Sequence, residues 1–493
     1  MNLGVPTLPW DAVIWGLIVG YLVTLVSALL PAIHASRISP MEALRESATS
    51  SHRKLGRRNI VGGSLTAAAI AIIAVGLNAN VRQPGIWVGA GAVVLIFGVA
   101  LLSAQVLSWL ADTLRSAFGK VFGVNGRLAV GNVHREPRRA GITASALMIG
   151  VLLLAMVATL TETFKVTARS QIENQVVSDL LVSGNMTSSS PANVTEAAQA
   201  AVASTPGVAV TSLIEVGSAT LPDGATISIE GIDPATADAT YVYPSNPDAS
   251  KVGNGVYVAP RLQAMGYRVG DTITLKGADA ELTLPITGVY TREGDSDVLM
   301  SLDTATKLDD SMYRYMLLVN LDPNVDTATA QAAVETSLTD FPLLQVSQPD
   351  QLTKQINDLF DMILIFITIM LSASLGIAVL GVANTLFLSV TERTREIGLL
   401  RAVGLSRGSV WKMITLESVM IAVFGALMGI GLGVGLGIAL LTALSSFGFS
   451  APVVPVVWLL LYTALAIVAG IVAALVPAWM ASRLNILEAV TTE

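Results

Sequence analysis

The chain has 493 residues, 53% of them hydrophobic and only 13% charged, with a mean hydropathy of +0.65 and a formal net charge of −7. A soluble domain carries roughly twice that charged fraction, so a water-soluble globular protein is excluded. There is no cysteine, which excludes disulfide staples and thiol chemistry.

The apolar residues are blocked. Seven runs reach the roughly 20 residues that a bilayer-crossing helix needs: 11–33, 60–79, 86–110, 141–161, 359–388, 413–444 and 453–481. The first run leads into Pro31-Ala-Ile-His-Ala-Ser-Arg37, followed by Glu42-Ala-Leu. The last leads into Pro477-Ala-Trp-Met-Ala-Ser-Arg483, followed by Glu488-Ala-Val at the same offset. A membrane helix with its polar tail is thus written twice. Residues 47–59 form a polar, basic linker, and the second and third runs form a hairpin around Asn80–Gly85. The apolar spacing within 111–140 predicts a short interfacial helix, with Pro137 breaking its approach to the fourth run.

The polar block 164–357 is long enough to be a domain. Its patterning predicts a mixed α/β fold. Ala192–Ala203 reads as a helix, and Val208–Val216 and Thr226–Ile232 alternate as strands. Tyr257–Tyr267 reads as strand, turn and short helix. Val269–Leu275 and Leu282–Tyr290 read as a hairpin. Met316–Leu321, the helix Asp326–Thr339 and Leu344–Ser347 read as a β-α-β unit. Helix Leu352–Asp361 runs straight into the fifth membrane run.

The charges segregate. The segments 34–59, 111–140 and 389–412 with the C-terminal tail hold eighteen of the twenty-nine Lys and Arg. The positive-inside rule then predicts a cytoplasmic C-terminus, an external N-terminus and an external block 164–357. Nothing before Trp10 resembles a signal peptide. The fold class expected is an α-helical polytopic membrane protein with seven transmembrane helices, and an extracytoplasmic α/β (α+β) domain between the fourth and fifth. His34, His52 and His134 lie in short basic loops without clustered partners and read as solvated loop residues.

Between the fifth and sixth runs lies Thr391-Glu-Arg-Thr-Arg-Glu-Ile-Gly-Leu-Leu-Arg-Ala-Val-Gly404. Glu392–Val403 is predicted as one short amphipathic helix. Its charged front is Glu392, Arg393, Arg395 and Glu396, with Arg401 beyond. Its apolar back is Ile397, Leu400, Val403 and Leu405, with Leu399 beside it. Gly404 is predicted to close it in a left-handed cap, and Ser406 to cap the following helix. That next helix carries Gly425, Gly429, Gly433 and Gly437 on one face, a stripe that suits close packing either within the bundle or across a dimer or sliding interface.

The run Glu-Arg-x-Arg-Glu-Ile-Gly-Leu-Leu-Arg-Ala-Val-Gly, the Gly-rich helix after it, and Pro-Ala-x-x-Ala-Ser-Arg-x-x-x-x-Glu-Ala together resemble the FtsX-like, MacB-type permeases of ABC transporters. Arg135-Glu-Pro-Arg-Arg139 and Val269-Gly-Asp-Thr272 resemble the same family. The resemblance divides the chain as follows. Residues 1–46 are the last helix and tail of a first module, and 47–123 a linker helix pair with a cytoplasmic stretch. Residues 124–163 are the lead-in and first helix of a second module, 164–357 its extracytoplasmic domain, and 358–493 its permease domain. It implies the duplicated ten-helix type, with most of the first module outside residues 1–46.

The resemblance further implies a separate ATPase dimer carrying ATP and Mg, with Glu392–Gly404 as the helix that docks on it, and no cofactor, catalytic residue or metal ligand in this chain. It implies a bacterial plasma-membrane permease that exports or extracts a lipid, lipoprotein or peptide. The alternative is a regulator that activates an envelope hydrolase or sensor. Further partners implied are membrane lipid and a second permease module or a second copy of the chain; nucleic acid is not among them. Two features of the residues agree. No P-loop of the form Gly-x-x-x-x-Gly-Lys-Ser/Thr occurs. No charge lies near the middle of an apolar run, as ion-coupled carriers need; Glu417, about one turn past Lys412, comes nearest.

Overall fold

The computed structural model describes residues 10–36, 55–78, 81, 84–184, 192–240, 252–253, 255–289, 296–444 and 451–484. It divides into two compact units, Met1–Arg58 and Asn59–Glu493. The first contains helix α1 (Trp10–Ser36). Its apolar stretch, Val13–Leu29, is shorter than the other candidate spans. Pro31 lies inside α1, as Pro477 lies inside the last helix of the chain, so the repeated sequence adopts the same local structure twice. The repeated tails beyond Ser36 and Leu484, the linker to Lys54 with His52, and most of the Asn80–Gly85 turn lie outside the described residues.

The second unit begins with α2 (Leu55–Gly76) and α3 (Pro84–Arg135). Next come α4 (Pro137–Gln175) and, beyond the polar block, α10 (Pro349–Glu392). Short helix α11 (Thr394–Ala402) leads to α12 (Arg407–Ala443) and α13 (Val456–Ser482). Among the described residues six helices are long and apolar enough to cross a membrane: 58–76, 84–113, 137–170, 349–392, 407–443 and 456–482. Together with α1 they correspond to the seven predicted runs. The interfacial helix predicted within 111–140 is not separate. It is the end of α3, which bends at Gly123 (φ 61, ψ −138) and stops where Pro137 opens α4.

Helix α4 is the bundle's centre. Two thirds of its apolar window is buried (67%), against 17% for α10. A mostly unburied apolar helix presents its surface to lipid. The Gly stripe of α12 explains how α4 is covered so closely. A Cβ on Gly425 would fall 2.7 Å from the Ala144 carbonyl oxygen, and one on Gly429 2.6 Å from that of Met148. Gly433 meets Leu152 and Ala155 of α4, and Gly437 meets Thr159. All four glycines are therefore spent on packing within the bundle. The alternative use, as a seam between two copies, is ruled out for this face because α4 occupies it.

The polar block holds β1 (Leu180–Gly184), α5 (Glu196–Ala203), β2 (Val208–Thr220), β3 (Thr226–Ile232) and α6 (Ala237–Thr240). It continues with β4 (Val256–Val258), α7 (Pro260–Ala264), β5 (Thr272–Lys276), β6 (Glu281–Val289) and β7 (Val298–Ser301). It closes with α8 (Leu302–Leu308), β8 (Tyr313–Leu321), α9 (Thr327–Ser337) and β9 (Leu344–Ser347). The strand order is β3-β7-β4-β6-β5-β2-β8-β1-β9, and β3 also pairs with β2. Six strands thereby close on themselves. A closed ring has no edge to protect, and this one is filled by Ile227, Ile229, Val256, Val258, Ile273, Leu275, Val298 and Met300.

Strand β2 serves both halves of the domain. Its first part pairs with β8, its second with β3, and the register shifts between Ile214 and Glu215. A bulge bends a strand and increases its twist, which lets β2 leave the flat β2-β8-β1-β9 sheet and enter the ring. Helices α5 and α9 cover one face of that sheet through Val202, Ala198, Ala330 and Val334. The predicted β-α-β unit is present in split form: β8 and β9 run parallel, joined through α9, with β1 between them in the sheet and antiparallel to each.

The sheet's other face rests on the two long helices. Leu181, Ile214, Met316 and Leu318 pack on Leu352 and Ile356 of α10 and on Ile172 and Val176 of α4. Just below, Lys165 of α4 pairs with Asp361 of α10 at 2.9 Å, and Phe164 stacks on Phe360 at 6.1 Å. Helices α4 and α10 are thus the domain's two stalks.

Candidate functional site

The end of α3, the start of α4, the end of α10 and the start of α12 converge around α11. The predicted helix Glu392–Val403 is shorter than expected. Glu392 is the last residue of α10, and Arg393 (φ −104, ψ 19) is the single-residue joint. A 44-residue stalk therefore passes into the short helix with no intervening loop. The other end matches expectation. Leu405 N–H donates to the Leu400 carbonyl and Gly404 N–H to that of Arg401, with Gly404 at φ 111. This is the paired C-terminal cap that a left-handed glycine permits. Ser406 Oγ then accepts from Ser409 N–H at 3.2 Å to start α12.

Most of the charged residues expected to form an outward front are exposed or half-buried but engaged in ion pairs around the foot of α4. Glu136, the residue before α4, lies 3.0 Å from Arg393 and 3.6 Å from Arg139. Arg139 donates to Glu392 at 2.7 Å. Arg135 and Glu396 approach more loosely, at 3.9 Å. Arg401 donates to the Leu484 carbonyl. Among the described residues Arg395 is exposed and makes no ion pair. The ionic set therefore joins the foot of α4 to the foot of α10 and the start of α11. Arg135-Glu-Pro-Arg-Arg139 was visible as a motif. Its pairing was not, because Arg139 and Glu392 are 253 positions apart.

The apolar back is likewise divided. Ile397 is buried against Val410, Met413 and Ile414 of α12. Leu399, Leu400 and Val403 are 49%, 36% and 88% exposed. Of the two placements expected for the apolar back, the bundle or the wall of a partner's groove, Ile397 takes the first, while Leu400 and Val403 stay exposed. Leu400 and Val403 border a cleft of about 550 Å³ between α11 and the end of α3. Glu417 stands in its wall and accepts from Asn132 Nδ2 at 3.0 Å. The loop expectation for the histidines is corrected: His134 lies in α3, exposed and 3.2 Å from Asp112, and His34 falls within α1.

If the ionic set holds the two stalks together, Arg139→Met and Glu392→Gln should each lower thermal stability of the detergent-solubilised chain, and the double variant should lose less than their sum. The coupling expected for a half-exposed pair is about 0.5–1 kcal/mol. Strict additivity would mean that the 2.7 Å contact carries no energy.

The architecture is that of a multi-pass membrane protein whose α/β domain is carried on two of its own helices. Residues 140–337 match the MacB-like periplasmic core domain and residues 362–486 the FtsX-like permease C-terminal domain. Both matched segments are domains of FtsX-like, MacB-type ABC transporter permeases, and the chain spans less than two thirds of the length of the curated relatives it matches. It is 23% identical over 503 residues to an uncharacterised ABC transporter permease protein of Mycobacterium tuberculosis, covering 98% of this chain and 58% of that protein. It is 28% identical over 236 residues to the macrolide export ATP-binding/permease protein MacB of Vibrio parahaemolyticus, covering 46% of this chain and 35% of that protein. The crystal structure of the periplasmic region of MacB from Actinobacillus actinomycetemcomitans aligns with 38% of this chain and 95% of that one, at 10% identity and a TM-score of 0.29.

Proposed function

We propose that the chain couples ATP hydrolysis on a separate ATPase dimer to movement of the outer domain, and so exports or extracts an amphiphilic substrate such as a lipid, lipoprotein or peptide. In this reading the basic face is cytoplasmic, the N-terminus is external, and the membrane is the bacterial plasma membrane. ATP and Mg belong to the partner. A second permease module, or a second copy of this chain, completes the transporter through a surface other than the Gly425–Gly437 face.

One observation carries the reading. The two stalks run unbroken between the outer sheet and the α11 joint, and they are tied to each other at both ends. Helix α10 has 44 residues and α4 has 39, which makes them about 66 and 58 Å long at 1.5 Å per residue. The hydrocarbon layer is only about 30 Å thick, so both helices extend well beyond it. A rigid helix transmits a displacement of its foot to its head. The exposed Leu399, Leu400 and Val403 give α11 an apolar contact surface for the ATPase, with Arg395 at its rim.

The test is purification of the tagged full chain from its source membranes, with ATP hydrolysis in the eluate as the readout. The proposal expects vanadate-sensitive hydrolysis that co-migrates with the chain. A chain that purifies intact with no nucleotide-hydrolysing partner contradicts it.

A further inference from the structure

We propose that the cleft between α11 and the end of α3 binds the head group of an anionic phospholipid from the surrounding bilayer. The inference rests on the membrane-spanning reading of the helices and is independent of the ATPase.

Position is the first argument. The apolar span of α3 ends at Thr113, and Arg115, two residues on, lines the cleft. Helix α10 ends at Glu392 and α12 begins at Arg407 on the same face. The cleft therefore opens at head-group depth.

The second argument is how the cations are held. Gly123 adopts φ 61, ψ −138, a conformation open to glycine and strained for other residues. A Cβ on Gly119 would lie 2.8 Å from Arg127 Nε and 3.0 Å from its Cγ. Residues eight apart are about 12 Å apart along a straight helix. The elbow at Gly123 thus folds the chain back and lays the Arg127 stem across the bare backbone of Gly119, beside the cleft.

Charge is the third. Among the described residues neither Arg115 nor Arg127 has a carboxylate partner. Arg393 is held by Glu136 at 3.0 Å, and Arg135 lies 3.9 Å from Glu396. Of the two acids in the lining, Glu396 faces Arg135 and Glu417 accepts from Asn132. The cleft keeps two uncommitted guanidiniums, whose planar donors suit a phosphate. Apolar side chains, among them Val124, Leu386, Leu400 and Met413, make up much of its remaining wall, as a glycerol and acyl stem requires. Around the elbow, Val121, Phe122 and Val124 are exposed by 73%, 45% and 65%. Such apolar side chains beside basic ones are the composition of an interfacial segment. An acidic protein surface would complement the arginines but not this apolar rim at the end of a membrane span.

The experiment is native mass spectrometry of the delipidated full chain in maltoside, titrated with dioleoyl phosphatidylglycerol or dioleoyl phosphatidylcholine. The expected result is preferential retention of phosphatidylglycerol. Arg115→Ser with Arg127→Ser should weaken that retention by on the order of thirtyfold, from two surface cations. Arg115→Lys with Arg127→Lys should restore most of it, which separates lost charge from lost fold. Arg138→Ser, an exposed cation outside the cleft lining, should change nothing. Equal retention of both lipids, or a preference untouched by the double serine variant, overturns the proposal. Displacement of the lipid by millimolar inorganic phosphate overturns it in favour of a small-anion site. Unchanged lipid retention with loss of a co-purifying ATPase overturns it in favour of a protein contact.

Discussion

Val403→Asp should abolish capture of the ATPase while leaving the chain folded in the membrane. Val403 is 88% exposed, so the substitution removes no contact of the isolated chain. It lies next to the Gly404 cap, beside Leu399 and Leu400, on the one surface of α11 that presents apolar side chains outward. Docking would strip water from the new carboxylate. An unpaired buried charge costs about 3–5 kcal/mol, more than a hundredfold in affinity. Leu400→Asp should act in the same direction; Leu400 and Val403 both border the cleft that holds Arg115 and Arg127. Ala328→Asp, on the exposed first turn of α9 in the outer domain, should leave capture intact. Pull-down of full-length tagged variants measures all three. Undiminished capture by Val403→Asp would reduce α11 to a topological anchor.

The second large effect concerns the glycines of α12, which the sequence shows as an undivided alternating run. Gly429→Val should destabilise the bundle strongly, and Gly431→Ala should not. A Cβ on Gly429 meets the Met148 carbonyl oxygen at 2.6 Å and Leu152 N at 3.0 Å. These are backbone atoms of α4 and cannot move aside as a side-chain tip would. Overpacking costs about 1–3 kcal/mol even where side chains adjust, and here two helices must separate. Gly431 and Gly435 have nothing within 4 Å of an added Cβ. Alanine there gains up to about 1 kcal/mol of helix propensity. Thermal unfolding in detergent, with chromatographic homogeneity as a second readout, distinguishes the two classes. Equal tolerance at Gly429 and Gly431 would mean that α12 does not seat on α4 along this stripe.

The contrast between these glycines shows what the sequence exposes and what it hides. Helical spacing places Gly425, Gly429, Gly433 and Gly437 on one face, and that face exists. What lies against it is a tertiary fact, and only the packed bundle identifies α4. The long apolar helices, the β5–β6 hairpin, the Gly404 cap and the uninterrupted passage of the domain into α10 follow from periodicity and local chemistry. Strands β1 and β7 escaped because Leu180-Leu-Val and Val298-Leu-Met are short, continuous apolar runs. They are buried throughout, and without alternation they carry no strand signature. The insertion of β1 between β8 and β9 was hidden for the same reason. At the site, an amphipathic helix was legible, but Arg393 as a joint was not. Nor was the diversion of Glu392, Arg393 and Glu396 toward Glu136, Arg139 and Arg135, since pairing at such separation leaves no mark on local spacing.

The central claim is that events at the α11 joint move the outer domain through α4 and α10. The most direct measurement is an electron-spin distance between a label on the outer domain and one on a helix outside the stalks. The absence of cysteine makes Ala328→Cys with Val457→Cys a clean pair; Val457 is 79% exposed at the outer end of α13. In the complex with the co-purified ATPase, trapping with ATP and vanadate should shift the distance by about 2 Å or more, and adding Val403→Asp should remove the shift. A distance that stays fixed on trapping in a capture-competent complex would contradict the account.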